Sequence, residues 1–176
     1  RIAQHMILTC VAAPLIALGR PFPVKPEGAG AWDLAAAASF GVFLWLWHAP
    51  APYAASFNGD LVYWLMHATL FGSGLWLWAS LLEQPERRMG AVLTAALFTT
   101  LQMGFLGAVI TLASRPLFAP HLTTTAAWGL TPLEDQQLGG AIMWIPAGVI
   151  FLVAILAPVW LALRRAEARS LARAGA

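Results

Sequence analysis

The sequence predicts an all-α, polytopic transmembrane helical bundle. Of its 176 residues, 60% are hydrophobic and 10% are charged, whereas soluble domains have about 45–50% and about 25%. A single core of this size cannot bury so much apolar surface, which excludes an ordinary water-soluble enzyme, a disordered chain and a disulfide scaffold. The third observation is a set of five apolar segments, each close to the roughly 20 residues that a helix needs to cross a bilayer.

The five predicted spans end where prolines or polar residues follow, because proline lacks an N–H donor and restricts the residue before it. In order, the spans cover residues 2–18, 32–48, 61–82, 91–113 and 137–163. A long semi-polar loop, 114–136, precedes the last span, and a basic tail, 164–176, follows it. Because the chain starts at Arg1 rather than Met and is apolar by Ile7, we expect further helices upstream.

The basic residues predict the orientation. Five spans place eight of the ten Lys and Arg residues on one side of the membrane and two on the other, and the richer side is cytoplasmic. The two outer residues are Arg1 and Arg115, and the inner ones are Arg20, Lys25, Arg87, Arg88, Arg164, Arg165, Arg169 and Arg173. The C-terminus is therefore expected in the cytoplasm. The basic residues form no stripe long enough to predict nucleic-acid binding.

Four histidines and one aspartate gather on the outer side of this topology. His5 opens the first span, His48 closes the second, His67 lies about two turns into the third, His121 lies in the long loop, and Asp135 stands at the mouth of the last span. Ionisable groups inside a membrane are rare and usually functional, which favours a shared metal or cofactor. The alternative is structural: the histidines, above all the one in the loop, hydrogen-bond to carbonyls. Helix capping explains the aspartate equally well.

Soft ligands accompany the histidines. Met6 and Cys10 are four residues apart and share a helix face, Met66 adjoins a histidine, and Met143 lies two turns inside the last span. Thioether and thiolate ligands select Cu(I), and imidazole suits copper, zinc and iron, although methionine in a helix is more often packing. The candidate metal ligands are therefore His5, His48, His67, Met6, Met66, Met143, Cys10, Asp135 and His121.

Features that are missing from the sequence exclude other functions. Acidic residues lie only at span ends, which argues against a proton-coupled transporter, and there is no phosphate-binding loop or nucleophile elbow. We therefore predict no catalytic residues and no enzyme. Gln102, near the middle of the fourth span, is expected to hydrogen-bond to a neighbouring helix. Close helix packing is expected at the small residues Gly104, Gly107, Ala108, Gly139 and Gly140.

Several segments also resemble a known family. They are Gln4-His5-Met6 with Ala13-Pro14-Leu15, Leu18-Gly19-Arg20-Pro21, Trp47-His48-Ala49-Pro50 with Tyr53, Tyr63 to His67, and Leu106-Gly107 with Thr111 and Pro116-Leu117-Phe118. The most specific is the run DQQLGGAIMWIP, from Asp135 to Pro146. Together they are similar to the CtaG-type cytochrome c oxidase assembly factors, which are polytopic bacterial membrane proteins, over nearly the whole chain.

The resemblance implies a role in maturing a haem–copper oxidase, with copper handling and no turnover. It places the family's histidines on His5, His48 and His67 and its acidic mouth on Asp135. Where the family pattern has a further histidine four residues earlier, this chain has Arg1, so that it either lacks this ligand or uses Met6 or Cys10 instead. It also implies a multi-pass protein of the bacterial inner membrane with its metal site towards the periplasm. The implied partners are an apo-oxidase subunit and a periplasmic copper donor.

Two other interpretations stay open. Histidines on neighbouring helices are also how helical bundles ligate haem, so a bis-histidine haem protein is one alternative. The other is a scaffold that holds no metal and binds an oxidase subunit through its glycine-rich helix faces. The same glycines are compatible with a homo-oligomer.

Overall fold

The computed structural model describes residues 1–19, 30–82 and 89–174, and within these ranges the chain is helical without a β-strand. This confirms the predicted all-helical class for the described residues. Two 3₁₀ turns, Ala119–Leu122 and Ala126–Trp128, lie in the long loop before the last helix. The helices are α1 (Ile2–Leu18), α2 (Gly30–His48), α3 (Pro50–Ala55), α4 (Asp60–Leu82), α5 (Met89–Leu112) and α6 (Pro132–Ala174).

Helices α2, α4, α5 and α6 are long and apolar enough to cross a membrane, which identifies a multi-pass membrane protein. Many large apolar side chains on these helices are exposed and so are available to face lipid. Helix α1, the predicted first span, is apolar but shorter than these four. Four basic residues that carry the predicted orientation lie outside the described residues: Arg20, Lys25, Arg87 and Arg88.

Helix α1 contains a π-helical turn at Leu8–Ala12. Pro14 follows this turn, and proline has no N–H to donate and its ring crowds the carbonyl four residues before it. The indole N–H of Trp78 on α4 donates to the carbonyl of Thr9 at 2.7 Å. The widened turn is thus fixed against α4, next to the helical turn that carries His5.

A break between α2 and α3 fixes the position of His48. Ala49 is extended, with φ −71° and ψ 139°, because a residue before proline is disfavoured in the α region. Pro50 then starts α3, where its missing N–H costs nothing. As a result α2 ends at His48, and a separate short helix, α3, follows with Tyr53 buried.

Helix α6 starts earlier and ends later than the predicted span 137–163. Its 43 residues correspond to about 65 Å, which is about twice the hydrocarbon thickness of a bilayer. The predicted basic tail, 164–176, is therefore not a separate segment but continues this helix as far as Ala174. A capping box defines its first turn. The Thr131 hydroxyl accepts from the Glu134 N–H at 3.2 Å, and the Glu134 carboxylate accepts from the Thr131 N–H at 2.8 Å.

The predicted close packing is confirmed between α5 and α6. A Cβ added at Gly107 would lie 2.7 Å from the Cβ of Trp144, and one at Gly140 would lie 2.9 Å from the Thr111 backbone nitrogen. The predicted interhelical hydrogen bond is confirmed as well, since the Trp45 indole donates to the side-chain oxygen of Gln102 at 2.5 Å. These contacts fix α2, α5 and α6 around the end of α1.

Candidate functional site

His5, His48 and His67 lie together at one end of the bundle, on α1, α2 and α4. The ring centroids of His5 and His67 are 4.9 Å apart, and those of His5 and His48 are 6.2 Å apart. Each residue is buried, with 6–7% of its surface exposed. The structure therefore brings together the three histidines that the sequence places near one membrane face, with His5 between the other two.

The hydrogen bonds of these rings leave several nitrogens unpaired. His48 Nδ1 lies 2.7 Å from the carbonyl of Leu44, and His67 Nδ1 lies 2.9 Å from that of Tyr63. Because a carbonyl only accepts, both rings carry the proton on Nδ1 and keep the Nε2 lone pair available for a ligand. His67 Nε2 and both ring nitrogens of His5 are buried without a hydrogen-bond partner.

A small cavity, here called the inner cavity, lies against the histidines. Its volume is about 10 Å³, the size of one ion or one water molecule. The residues that line it and carry nitrogen or sulfur ligand atoms are His5, Met6, His48, Met103 and Met143. Apolar side chains, among them Phe40 and Leu44, complete the wall. The donor set is therefore two imidazoles and three thioethers in apolar surroundings.

The ring separations are compatible with one shared ion. Metal–nitrogen bonds of about 2.0–2.1 Å place the centroids of two ligating imidazoles about 4.5–6.5 Å apart, depending on the angle between the two bonds. Among the described residues, however, no group of three or more His, Cys, Asp or Glu side chains is arranged to hold a metal ion. His67 does not line the inner cavity. Of the predicted ligands at the inner cavity, two are histidines and the others are methionines, and His67 packs against His5 outside the cavity.

Two predicted soft ligands lie elsewhere. Met66 is fully buried in a separate apolar cluster with Trp47 and Leu70. Cys10 lies in the main core, where its Sγ is 3.8 Å from the Thr9 hydroxyl. Neither residue lines the inner cavity.

Met103, in contrast, lines the inner cavity and was not predicted. A signal for it exists in the sequence, because Met103 and Gly107 are four residues apart and share a helix face. Gly107 was already expected on the close-packing face of its helix. A methionine on that face of α5 has to point towards α6, where Met143 lies.

A second cavity, here called the outer cavity, lies under the long loop and has a volume of about 160 Å³. Its polar wall consists of Arg1, His48, Tyr53, His121, Asp135 and Gln136. His48 and Ile2 line both cavities. Of these two residues only His48 carries a ligand atom in its side chain, so it is a candidate ligand at both cavities.

Tyr53, His121 and Asp135 form a hydrogen-bonded chain across the outer cavity. The Tyr53 hydroxyl is 2.7 Å from His121 Nε2, and His121 Nδ1 is 2.9 Å from the Asp135 carboxylate. Burial raises the pKa of Tyr53 to about 12, so its hydroxyl keeps its proton. Burial also lowers the pKa of His121, although Asp135 opposes this shift. A neutral imidazole therefore donates to Asp135 and accepts from Tyr53.

The three neighbouring polar residues at the start of α6, Glu134, Asp135 and Gln136, make different contacts. Glu134 forms the capping box of α6, so Asp135 is not needed as a cap and instead contacts His121. Gln136 holds the loop down, because its side-chain oxygen accepts from the Leu117 N–H at 2.6 Å and its amide donates to the carbonyl of Ile110 at 3.2 Å. From the sequence, capping and a site role are equally compatible with Asp135.

Arg1 lies at the rim of the outer cavity. Its guanidinium donates to the backbone carbonyl of Ser56 at 3.0 Å and stacks on Phe57, 3.5 Å from the ring centroid. The residue at the position where the family pattern has a histidine is thus anchored to the end of α3. It adds a positive charge beside Asp135.

These features define a multi-pass helical membrane protein with buried histidines and methionines near one end of its bundle. The sequence matches the family model of the cytochrome c oxidase caa3 assembly factors (Caa3_CtaG) over residues 1–165, and the chain belongs to this family. Membership of an assembly-factor family implies a non-catalytic role. The comparisons found no match among curated proteins and none among solved structures.

Proposed function

We propose that this protein binds copper as cargo in the inner cavity and passes it to an apo-subunit of a haem–copper oxidase. The observation that carries the proposal is His5, whose two ring nitrogens are buried and unpaired beside three methionines. Leaving a buried polar group unpaired costs about 1–3 kcal/mol, and native proteins rarely accept this cost without a functional reason. A bound ion would pair one of these two nitrogens.

The chemistry of the lining supports Cu(I) over harder ions. Thioether sulfur and imidazole nitrogen are ligands that Cu(I) accepts, whereas Mg²⁺ and Ca²⁺ require oxygen. The ligands in this proposal are His5 and His48, with Met6, Met103 and Met143. Hydrogen bonds from Nδ1 to backbone carbonyls orient the rings of His48 and His67. At metal sites, hydrogen bonds of this kind orient the ligating histidines. The ion would be released to a partner and not consumed.

The size of the site favours an ion over haem. The inner cavity of about 10 Å³ is far smaller than a porphyrin. The rings of His5 and His67 contact each other edge to face at 4.9 Å, which leaves no gap for a macrocycle between them. A bis-histidine haem would require these helices to separate.

The orientation proposed for the protein follows from the basic residues and the family. The helix ends that carry the histidines and the long loop face the periplasm of a bacterial inner membrane, and the basic end of α6 faces the cytoplasm. Copper for the oxidase would then arrive from a periplasmic donor on the side where the ligands lie. A homo-oligomer is compatible with this arrangement and is not required by it.

Elemental analysis of purified protein tests copper binding. We expect about one copper per chain in the wild type and background copper in the His5→Ala/His48→Ala/His67→Ala variant, because the ion loses its imidazole ligands. Met66→Leu serves as the matched control, since Met66 is buried but lies outside the inner cavity. Equal copper in the triple variant and the wild type would refute the proposal. A Soret band in the wild type that disappears in the triple variant would indicate haem instead.

Oxidase assembly in cells distinguishes cargo binding from a scaffold role. If the protein delivers copper, membranes that contain only the triple variant will lack active oxidase although the variant is present at wild-type level. If the protein is a scaffold that holds no metal, the triple variant will support full oxidase activity. Immunoblotting of the membranes controls for the amount of each variant.

A further inference from the structure

The outer cavity contains a pair of side chains that could hold a cation before it reaches the inner cavity. His121 Nδ1 and the Asp135 carboxylate are 2.9 Å apart. Two ligand atoms bound at about 2.0–2.2 Å to adjacent positions of one ion lie about 2.9–3.4 Å from each other. The pair is partly exposed, with 26% and 34% of the two side chains accessible. The distance is that of the hydrogen bond between the two groups. It also falls in the range for two ligands of one ion once the Nδ1 proton has left, and the pair is in contact with water.

We infer that His121 and Asp135 form a transient acceptor site for the metal ion, from which His48 transfers it to the inner cavity. This inference rests on the proposed function, because it assumes that the inner cavity is the destination. The ligands are an imidazole and a carboxylate, with water in the remaining positions. Such a set binds copper and similar cations more weakly than the sulfur-rich inner cavity binds Cu(I).

His48 supplies the connection between the two sites. It lines both cavities, and the carbonyl of Leu44 engages its Nδ1, which leaves Nε2 as the ligand atom. Its neighbour in the shared wall, Ile2, is apolar. An ion that leaves His121 and Asp135 therefore meets an imidazole on its way to His5, whose nitrogens are unpaired.

Tyr53 allows His121 to bind an ion without a net change in protonation. In the metal-free chain Nδ1–H donates to Asp135 and Nε2 accepts from the Tyr53 hydroxyl. When an ion binds at Nδ1, that proton leaves to water and Nε2 takes one up, so the imidazole stays neutral. The hydrogen bond to Tyr53 then reverses, because a phenol hydroxyl both donates and accepts.

Arg1 explains why the acceptor site would be transient. Its guanidinium lines the same cavity and is held there by Ser56 and Phe57. A fixed positive charge disfavours a second cation nearby, while Asp135 attracts it. The two opposite charges give a site that an ion can occupy and leave.

The rate of Ag(I) loading tests the inference, because Ag(I) is a redox-inert analogue of Cu(I). In detergent-solubilised protein followed by stopped-flow tryptophan fluorescence, we expect His121→Gln and Asp135→Asn to slow loading about tenfold or more, with unchanged stoichiometry at equilibrium. Glu134→Gln is the control on the same face, because it removes a carboxylate that lies outside the outer cavity. This variant should load at a rate close to that of the wild type.

A second measurement keeps this inference separate from the proposed function. In the His5→Leu/Met103→Leu/Met143→Leu variant, calorimetry should detect one Ag(I) bound to the outer pair at least about 100-fold more weakly than to the wild type, and adding His121→Gln should abolish it. If the wild type binds no Ag(I) in its inner cavity, the proposed function fails, and this titration still tests the outer pair. Loading of His121→Gln and Asp135→Asn at the wild-type rate, or weak binding that survives His121→Gln, would overturn the inference.

Discussion

The inner and outer cavities share His48, but the other histidine in each cavity differs in its burial and hydrogen bonding. In the inner cavity both nitrogens of His5 are buried and have no hydrogen-bond partner. In the outer cavity both nitrogens of His121 are engaged, one by Tyr53 and the other by Asp135. The two histidines are thus a buried, unpaired group and a half-exposed, fully paired one.

Under the proposed function, this difference separates a residue whose role is to bind a ligand from one that also stabilises the fold. An unpaired buried imidazole costs stability, so the fold would be at least as stable without it. A paired imidazole links the long loop to α3 and α6, so the fold needs it. The contrast predicts that replacing His5 and replacing His121 change the free energy of unfolding in opposite directions.

The largest effect is expected from the matched pair His5→Leu and His121→Leu. We expect His5→Leu to weaken Ag(I) binding at least about 100-fold while the free energy of unfolding stays the same or rises, because an apolar side chain replaces an unpaired polar one. His121→Leu should lower the free energy of unfolding by about 1 kcal/mol through two lost hydrogen bonds, with little change in equilibrium affinity. Calorimetry and thermal unfolding in detergent measure both quantities.

A loss of stability in His5→Leu as large as in His121→Leu would contradict the contrast. It would mean that the ring of His5 is held by packing and not kept for a ligand. Wild-type Ag(I) affinity in His5→Leu would contradict its place in the inner site.

The next largest effect concerns α6, which carries Met143 to the inner cavity and Asp135 to the outer one. Gly107→Ala should lower the free energy of unfolding by about 1–3 kcal/mol, because the added methyl group would lie 2.7 Å from the Trp144 Cβ. Displacing α6 should also weaken inner-site Ag(I) binding and slow loading together. Thermal unfolding, calorimetry and stopped-flow fluorescence would be measured on the same preparation.

Gly148→Ala is the control for this substitution. Gly148 lies on α6, and no atom lies within 4 Å of the position of its added Cβ, so we expect wild-type behaviour or slightly higher stability. If Gly107→Ala changes only one of the two cavities, then α6 does not couple them.

A smaller effect, confined to the inner cavity, is expected from Met103→Leu. Removing one of several thioether ligands should weaken Ag(I) binding by about tenfold, while stability falls by less than about 1.5 kcal/mol because leucine and methionine have similar volumes. Met66→Leu makes the same chemical change at a site outside the inner cavity. Equal affinities for the two variants, measured by calorimetry, would remove Met103 from the site.

Apolar length and proline placement were sufficient to predict the long helices, because both act locally, but they did not predict the short helix α3. The α-helical class, the interhelical bond of Gln102 and the close packing at Gly107 and Gly140 all followed from the sequence. The continuation of α6 into the basic tail did not follow, because helical and irregular tails of this composition look alike in sequence. The capping box at Thr131 and Glu134 was readable in principle from the spacing T-x-x-E.

The sequence predicts the membrane depth of the candidate site residues, but not the direction in which their side chains point from the helices. Sequence position places His5, His48 and His67 near one face of the membrane, and there the structure brings them together. Whether a methionine points into the cavity depends on the rotation of its helix, which the packing of neighbouring helices sets. For this reason Met66 was predicted and lies elsewhere, while Met103 was not predicted and lines the inner cavity.

The smallest effect is expected at a polar contact that touches neither cavity. Gln102→Leu removes the hydrogen bond from Trp45, and buried hydrogen bonds between membrane helices contribute about 0.6 kcal/mol on average. Gln102 directly precedes Met103 on α5, but successive residues on a helix point about 100° apart. We therefore expect a slightly lower unfolding temperature with Ag(I) affinity and loading rate unchanged, and Trp45→Phe should match it. A change in affinity in both variants would show that the contact between α2 and α5 positions Met103. Ag(I) binding in the inner cavity would then depend on residues that do not line it.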